Sequence, residues 1–412
     1  MATVVGGFVF LYPVVMATVW MVGGLYYYLH RERGQAAVED PPPMQHYPLV
    51  SVLVPCHNEG ENVRDTVSAL QEQRYPQLEI IAINDGSTDD TGAVLEEIAA
   101  LDPRVRVLHL AENQGKAVAL RLGAVAARSE FLVCIDGDAL LDEYATHWMV
   151  WHLTSGPRVG AVTGNPRIRN RSTLLGRLQA GEFSSIIGLI KRSQRTYGRL
   201  FTVSGVICAF RRTALDRVGY WSDSILTEDI DISWRLQMDH WDVRYEPRAL
   251  CSILMPETLA GLWKQRLRWA QGGAQVVRNH TRSLFVWRRR RMWPVVLETL
   301  LSASWAICLS VLLPMVLLSA LLPVPGWAFV DLTTPSWQTV VLATTCMLQF
   351  GVSILIDRRY ERDIAQSYFW MIWYPISFWL IGWLTVLVAA PSVLMGRAEG
   401  RAVWVSPDRG VA

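Results

Sequence analysis

Two carboxylates one residue apart, Asp136 and Asp138, close the apolar run Phe131-Leu132-Val133-Cys134-Ile135, with only Gly137 between them. A run of that length, rich in β-branched and aromatic residues, reads as a buried strand. Just past such a strand is where open α/β sheets hold their ligands. Two hard oxygen donors at that spacing suit Mg²⁺ or Mn²⁺ bound together with a substrate phosphate. Taken alone, the pair reads more readily as a strand-ending Asp-Gly turn. Three further polar clusters stand in line with it: Asp85 in Asn84-Asp85-Gly86-Ser87, Thr227-Glu228-Asp229, and Gln265-Arg266-Leu267-Arg268-Trp269. On a helix Gln265 and Arg268 share a face at i and i+3, and an arginine fork can grip a diphosphate in a bidentate way. Each cluster is weak singly. In this order, separated by α/β structure, the set is specific.

The elements that must position these side chains show as alternation. Leu49 to Val54, Glu79 to Ile83, Val105 to Leu108 and Phe131 to Ile135 read as strands. Asn62 to Gln73, Thr91 to Ala100 and Gly115 to Ala127 read as the helices between them. Strand-helix alternation predicts right-handed crossovers and a mostly parallel, doubly wound sheet. Polar loops follow the first, second and fourth strands, so they collect along one edge and form one crevice.

At 412 residues the chain predicts more than one part. A formal charge of +2 points away from a nucleic-acid polymer as partner. Hydrophobic residues are 51% of the chain and tryptophans number 18, which points to a lipid bilayer. The six cysteines are scattered without a C-x-x-C pair, so they read as buried thiols of a reducing compartment. No histidine pair has metal-ligand spacing, and the histidines read as structural or surface residues.

Residues 1–30 read as a membrane helix ending in Tyr26-Tyr27-Tyr28, with Arg31 and Arg33 after it rather than before, against a cleaved leader. By the positive-inside rule those arginines place the next segment in the cytoplasm. Residues 31–47 read as a linker, 48–285 as the α/β domain, 292–396 as a second membrane region and 397–412 as a tail. Arg288 to Arg291 flanks the second span, Trp293 to Leu322; Trp337 to Ile356 is a third. Tyr368 to Met395 is a fourth apolar stretch, interrupted by Pro375. Counting four crossings puts the 357–363 loop on the domain's side and the C-terminus outside. Arg397, Arg401 and Arg409 conflict with that, so the last stretch reads as re-entrant or interfacial. Glu298 is expected to reach the interface, with a channel-facing role as the alternative.

With the four polar clusters in place, the chain resembles the family 2 inverting glycosyltransferases of GT-A fold, of the processive membrane-embedded kind that includes cellulose, chitin and hyaluronan synthases. It is most similar to the bacterial synthases of poly-β-1,6-N-acetyl-D-glucosamine. The likeness runs through Val162-Thr163-Gly164-Asn165-Pro166-Arg167-Ile168-Arg169, Thr227-Glu228-Asp229-Ile230-Asp231-Ile232-Ser233-Trp234 and Trp263-Lys264-Gln265-Arg266-Leu267-Arg268-Trp269-Ala270-Gln271-Gly272-Gly273. It continues to the tail Trp404-Val405-Ser406-Pro407-Asp408-Arg409-Gly410. At the N-terminus one span precedes the domain, where some relatives carry another.

The resemblance implies roles. Pro55-Cys56-His57-Asn58-Glu59 and Asp85 fall where the family contacts the uridine of a UDP-sugar. Glu59 would accept from base or ribose, or serve as a helix N-terminal acid; Asp85 would accept from the uracil N–H, or be a turn residue. Lys116 would approach the nucleotide, or be a solvated helix-start lysine. Asp136 and Asp138 would meet the nucleotide with its Mg²⁺ or Mn²⁺ ion, Asp138 more directly. Gln265 and Arg268 would hold the diphosphate and Trp269 would stack on the acceptor sugar. Asp229 is the expected general base, with Glu228 and Asp231 as rivals. The helix near 259–275 is expected to lie at the membrane surface, with Leu262, Trp263 and Trp269 toward lipid. The activity implied is processive, inverting transfer of N-acetylglucosamine from UDP-N-acetylglucosamine onto a growing β-1,6-linked polysaccharide, a biofilm polymer, exported through the inner membrane. The alternatives are another β-linked polymer, or a single transfer to a lipid phosphate. The resemblance also suggests a small membrane accessory subunit and cyclic-di-GMP control, which no residue establishes. Arg167 and Arg171 have the R-x-x-x-R spacing of some cyclic-dinucleotide sites, but no matching D-x-S-x-x-G segment follows.

Overall fold

The computed structural model describes residues 2–321 and 336–396. The Pro323-Val324-Pro325-Gly326 break, the three C-terminal arginines and the tail motif at 404–410 lie outside the described residues. Helix α1 (Ala2–Tyr27) continues through a π turn to Glu32. The first half of the domain then alternates as expected: β1 (Val50–Cys56), α2 (Val63–Gln71), β2 (Leu78–Asp85), α3 (Thr91–Leu101), β3 (Val105–Leu110), α4 (Lys116–Ala126) and β4 (Phe131–Ile135). The second half holds β5 (Leu140–Leu141), α5 (Ala145–Thr154), β6 (Val159–Ile168), α6 (Leu174–Phe183), α7 (Ile190–Tyr197), β7 (Ile207–Arg211), α8 (Arg212–Val218), α9 (Glu228–Met238), β8 (Asp242–Ile253) and α10 (Leu259–Leu284). Helices α11 (Trp293–Leu321), α12 (Trp337–Asp357) and α13 (Leu380–Leu394) come last.

One eight-stranded sheet runs β3-β2-β1-β4-β7-β6-β8-β5. Strands β3, β2, β1 and β4 are parallel. The near-continuous apolar sequence of β1, β2 and β4 follows from burial on both faces, whereas β3 is the half-buried edge strand. Val50, Val52 and Val54 pack with Val67 of α2 and Trp148 of α5 on one side. Leu53, Ile81 and Leu132 pack with Leu120 of α4 and Ile232 of α9 on the other. Each such fully buried side chain contributes about 1.5–3 kcal/mol. The sheet as a whole is mixed rather than mostly parallel, because β7 is antiparallel to both β4 and β6, and β5 to β8. Strand β7 starts at the carboxyl edge of the sheet, where Ile207 sits opposite Ile135, and runs back from there. That reversal brings the turn before β7, Ser204-Gly205, beside the acids that end β4.

Among the described residues, four helices are long and apolar enough to cross a membrane: Val4–Glu32, Trp287–Val316, Trp337–Asp357 and Pro375–Leu394. The fourth apolar stretch divides where Pro375, lacking an N–H, interrupts it. A 3₁₀ helix at Arg362–Trp373 leads into a separate helix, Pro375–Leu394, of spanning length. Glu298 is half-buried against the domain. It accepts from Trp20 Nε1 at 3.0 Å, Gln194 Nε2 at 3.1 Å and Tyr197 OH at 2.8 Å, pinning the first and second spans to α7.

A buried ion cluster fastens the membrane helices to the sheet. Arg192 of α7 donates to both oxygens of Glu32, at 2.6 and 3.1 Å, and to Asp357 at 3.0 Å. Arg167 of β6 donates to the other oxygen of Asp357 at 2.8 Å, and Arg171 pairs with Glu361. The turn after α12 thereby sits on the domain's side, as the count of crossings expects. Both arginines of the R-x-x-x-R spacing are held by carboxylates here. Removing one member strands a buried charge, at a cost of about 3–5 kcal/mol. Asp357→Asn is therefore expected to lower the thermal unfolding midpoint in detergent by several degrees; an unchanged midpoint would refute this.

Candidate active site

The carboxyl edge of the sheet gathers the expected acids around one lysine. Asp136 follows β4, and Glu228 and Asp229 open α9. Lys116, the first residue of α4, reaches across: its Nζ donates to Asp136 Oδ1, donates to the Gly205 carbonyl at 3.1 Å and lies 3.6 Å from Glu228 Oε1. Burial alone would lower the Lys116 pKa, but the charges of Asp136 and Glu228 outweigh it and hold the ammonium well above its usual range. Lys116 is thus not a solvated helix-start residue. It is the counter-charge that lets these carboxylates share one pocket.

Asp229 is the acid whose titration is moved. Burial, then the neighbouring charge of Glu228, push it up to about 6, against the pull of Lys116. Its Oδ1 accepts from the Ile230 N–H at 2.9 Å within the first turn of α9. Gly205 lies directly against it: a Cβ there would stand 3.4 Å from Asp229 Oδ2. Asp231 is committed elsewhere. It is 1% exposed, and its two oxygens are taken by Arg235 Nε at 2.6 Å and His280 Nε2 at 2.8 Å.

The other end of the edge is built from the loops after β1 and β2. Asp85 is buried, and its two oxygens accept the N–H groups of Gln114 at 2.7 Å and Gly115 at 2.8 Å. Gly115 makes this possible with φ +88°, a conformation other residues rarely adopt. Asp85 thereby fixes the loop that starts α4 and delivers Lys116. His57 Nδ1 lies 2.8 Å from the Asp85 carbonyl and its Nε2 3.0 Å from Asn113 Nδ2, closing the same loop pair. Glu59 is 1% exposed and its Cγ packs under Gly137, supporting the Asp136-Gly137-Asp138 turn from below. Asp138 is buried just beyond it.

Helix α10 lies across the site and packs against α9 and α13. Leu262 does not face lipid: it is buried in the apolar core shared by the sheet and the C-terminal helices. Gln265 Nε2 lies 3.7 Å from Met255 Sδ, Arg268 is exposed, and Trp269 is partly buried with Arg266 over its ring. Two contacts tie α10 to the acid loop: His280 to Asp231, and Gln275 Oε1 accepting from the Leu226 N–H at 3.0 Å. The His280 tie has no signal in the sequence; nor does Lys191, which donates to Thr163 Oγ1 at 3.1 Å and Ser204 Oγ at 2.7 Å behind the Ser204-Gly205 turn.

Gly272 marks the closest approach. A Cβ there would sit 2.2 Å from Thr227 Oγ1 and 2.7 Å from Thr227 Cβ. Gly272→Ala is expected to push α10 off the 227–229 loop, costing about 1–3 kcal/mol and most of the activity. Turnover and thermal midpoint measured together check this, and full activity would refute it.

Among the described residues, no group of three or more His, Cys, Asp or Glu stands ready to hold a metal ion. The Asp136/Asp138 pair therefore fits an ion that completes its shell with a diphosphate, rather than a cage built from protein alone.

A model of the family described as "Glycosyltransferase like family 2" matches residues 48–272. A poly-β-1,6-N-acetyl-D-glucosamine synthase of Staphylococcus epidermidis is 37% identical over 404 residues, which is 98% of each chain. One from Staphylococcus aureus strain COL is 38% identical over the same share. The solved structure of the Pyrobaculum calidifontis mannosyltransferase PcManGT, in complex with GDP-mannose and Mn²⁺, is similar with a TM-score of 0.61 at 21% identity. It covers 93% of this chain and 98% of its own, and shares the fold.

Proposed function

The chain belongs to glycosyltransferase family 2, and from that premise we propose that it polymerises N-acetylglucosamine from UDP-N-acetylglucosamine into a β-1,6-linked polysaccharide, processively, exporting the chain through its membrane helices. The observation that carries the reading is Asp229: a carboxylate pushed up to about 6, on the first turn of α9, with Lys116 between its neighbour Glu228 and Asp136. An inverting transfer needs one base on the acceptor side, and a base is most effective with a pKa near the working pH. The names of the Staphylococcus relatives, matched along 98% of the chain, support the sugar and the linkage.

In the reaction, Asp229 takes the proton of the acceptor's 6-hydroxyl as that oxygen attacks the anomeric carbon. The bond from that carbon to the diphosphate oxygen breaks, UDP departs on the opposite side, and an α-linked donor becomes a β-linked product. Glu228, beside Asp229, keeps the base's pKa high, and Lys116 keeps the acid cluster charge-balanced. Asp138, with Asp136, would hold Mg²⁺ or Mn²⁺, which when bound neutralises the charge developing on the diphosphate. Exposed Arg268 contacts that diphosphate, Gln265 lies on the same helix face, and Trp269 stacks on the acceptor sugar. The domain faces the cytoplasm of a bacterial inner membrane, as Arg31, Arg33 and Arg288 to Arg291 favour.

The test is UDP release and product analysis in inside-out membrane vesicles. UDP-N-acetylglucosamine, UDP-glucose and UDP-glucuronate are compared, with and without cyclic-di-GMP. The expected result is turnover of the first donor alone and a β-1,6 polymer. Another donor replaces the sugar; single-sugar lipid products remove processivity.

A further inference from the structure

Arg266 lies inside the Gln265–Trp269 segment, yet the sugar transfer itself does not use it. It does not point at the acids. Its Nη2 donates to Glu182 of α6 at 2.5 Å, and the Tyr374 hydroxyl donates to the other oxygen of Glu182 at 3.3 Å. Its guanidinium carbon lies 4.5 Å from the centre of the Trp269 ring and 5.5 Å from that of Phe378. Tyr374 and Phe378 are themselves stacked, 5.1 Å apart at 6°. They flank Pro375 at the start of the fourth span. A planar cation is therefore held between the indole on α10 and the aromatic pair at the mouth of that span, and one carboxylate anchors it.

We propose that Arg266 is the positioning residue of the acceptor platform: it clamps one face of Trp269, so that the terminal sugar of the growing chain stacks on the other. The inference rests on the polymerase reading and extends it to what holds the acceptor. A fixed indole presents a sugar face at a defined height over the base. A free indole would turn about its side-chain torsions and release the chain between additions. The clamp also ties the platform to Phe378, so movement of the fourth span and loss of acceptor grip occur together. The planar guanidinium is what matters. A lysine at 266 keeps the charge and the Glu182 ion pair but not the flat stack on the ring.

The experiment uses the full chain in detergent or vesicles, with β-1,6-linked N-acetylglucosamine oligomers as acceptor. Arg266→Lys is expected to raise the acceptor KM by about 3- to 30-fold, the worth of a desolvated cation–π contact, and to shorten the polymer. Donor KM and UDP affinity are expected to stay within about twofold, as they report the other end of the site. In a Trp269→Ala background the same substitution is expected to add nothing further, since the two residues act as one unit. Phe378→Leu, which leaves the ion pair intact, is expected to move acceptor KM in the same direction by less. Donor and acceptor KM rising together, unchanged polymer length, or additivity with Trp269→Ala each overturn the inference. A parent chain that adds only one sugar defeats the polymerase reading and this inference with it. A processive parent with an unaffected Arg266→Lys variant defeats the inference alone.

Discussion

Replacing Asp229 with asparagine is expected to lower sugar transfer by about 10²–10⁴-fold, the usual contribution of a positioned general base, while UDP-sugar binding persists. The side chain keeps its shape and can still accept from the Ile230 N–H, so α9 has no reason to unwind. What is lost is the acceptor for the hydroxyl proton. The pH profile gives an independent check. The Asp229 pKa is raised to about 6, chiefly by burial. Below that pH the carboxylate is protonated and cannot act as base, so kcat/KM falls as pH drops through about 6 and levels off above it. Glu228→Gln removes a charge that raises the pKa, so the acid limb moves to lower pH. Asp231→Asn, by contrast, loosens the ties to Arg235 and His280 and leaves the limb in place. Undiminished transfer by Asp229→Asn, or a limb that ignores both Asp229 and Glu228, would remove Asp229 from the reaction.

Strands β1, β2 and β4 were legible because a strand buried on both faces is apolar throughout, and each is a short run bounded by polar loops; β3, at the sheet edge, alternates instead. Their order fixed the edge on which Asp85 and Asp136 meet. The direction of β7 was not legible: Ile207 to Arg211 carries no mark of which way it enters the sheet, and the answer depends on where α7 leaves the chain. Helix α10 misled for a related reason. Amphipathicity says that a face is covered, not by what, and Leu262 is covered by protein rather than lipid. The ties of Glu298 were not legible because its three donors come from residues 20, 194 and 197. In the site, residue type and place after a strand pointed to Asp136 and Asp138, and the family resemblance to Asp229. The contacts that arrange them, from Lys116 to Gly205 and from His280 to Asp231, join segments far apart in the chain and leave no local pattern.

Chelation is expected to take UDP release to background, and Mg²⁺ or Mn²⁺ to restore it, with Asp138→Asn reproducing most of the loss at about 10²–10³-fold, the scale of a few kcal/mol of charge stabilisation. Asp138 should matter more than Asp136, as the family resemblance implies for the more direct ligand, while Asp136 pairs with Lys116. Asp136→Asn has a second consequence: Lys116 loses its nearest partner and leans on Glu228, so this variant should disturb the acid limb of the pH profile as well as the metal requirement. With two carboxylates and no third ligand among the described residues, the ion should bind weakly to the free protein and much more tightly once a diphosphate shares it. By linkage the reverse must hold, and the metal must tighten UDP by the same factor. Thermal midpoints with UDP alone, Mn²⁺ alone and both together measure this without turnover: the pair should stabilise by more than the sum of the two. Simple additivity, or full turnover in excess chelator, would mean that the carboxylate pair serves only to hold Lys116 and the turn above Glu59.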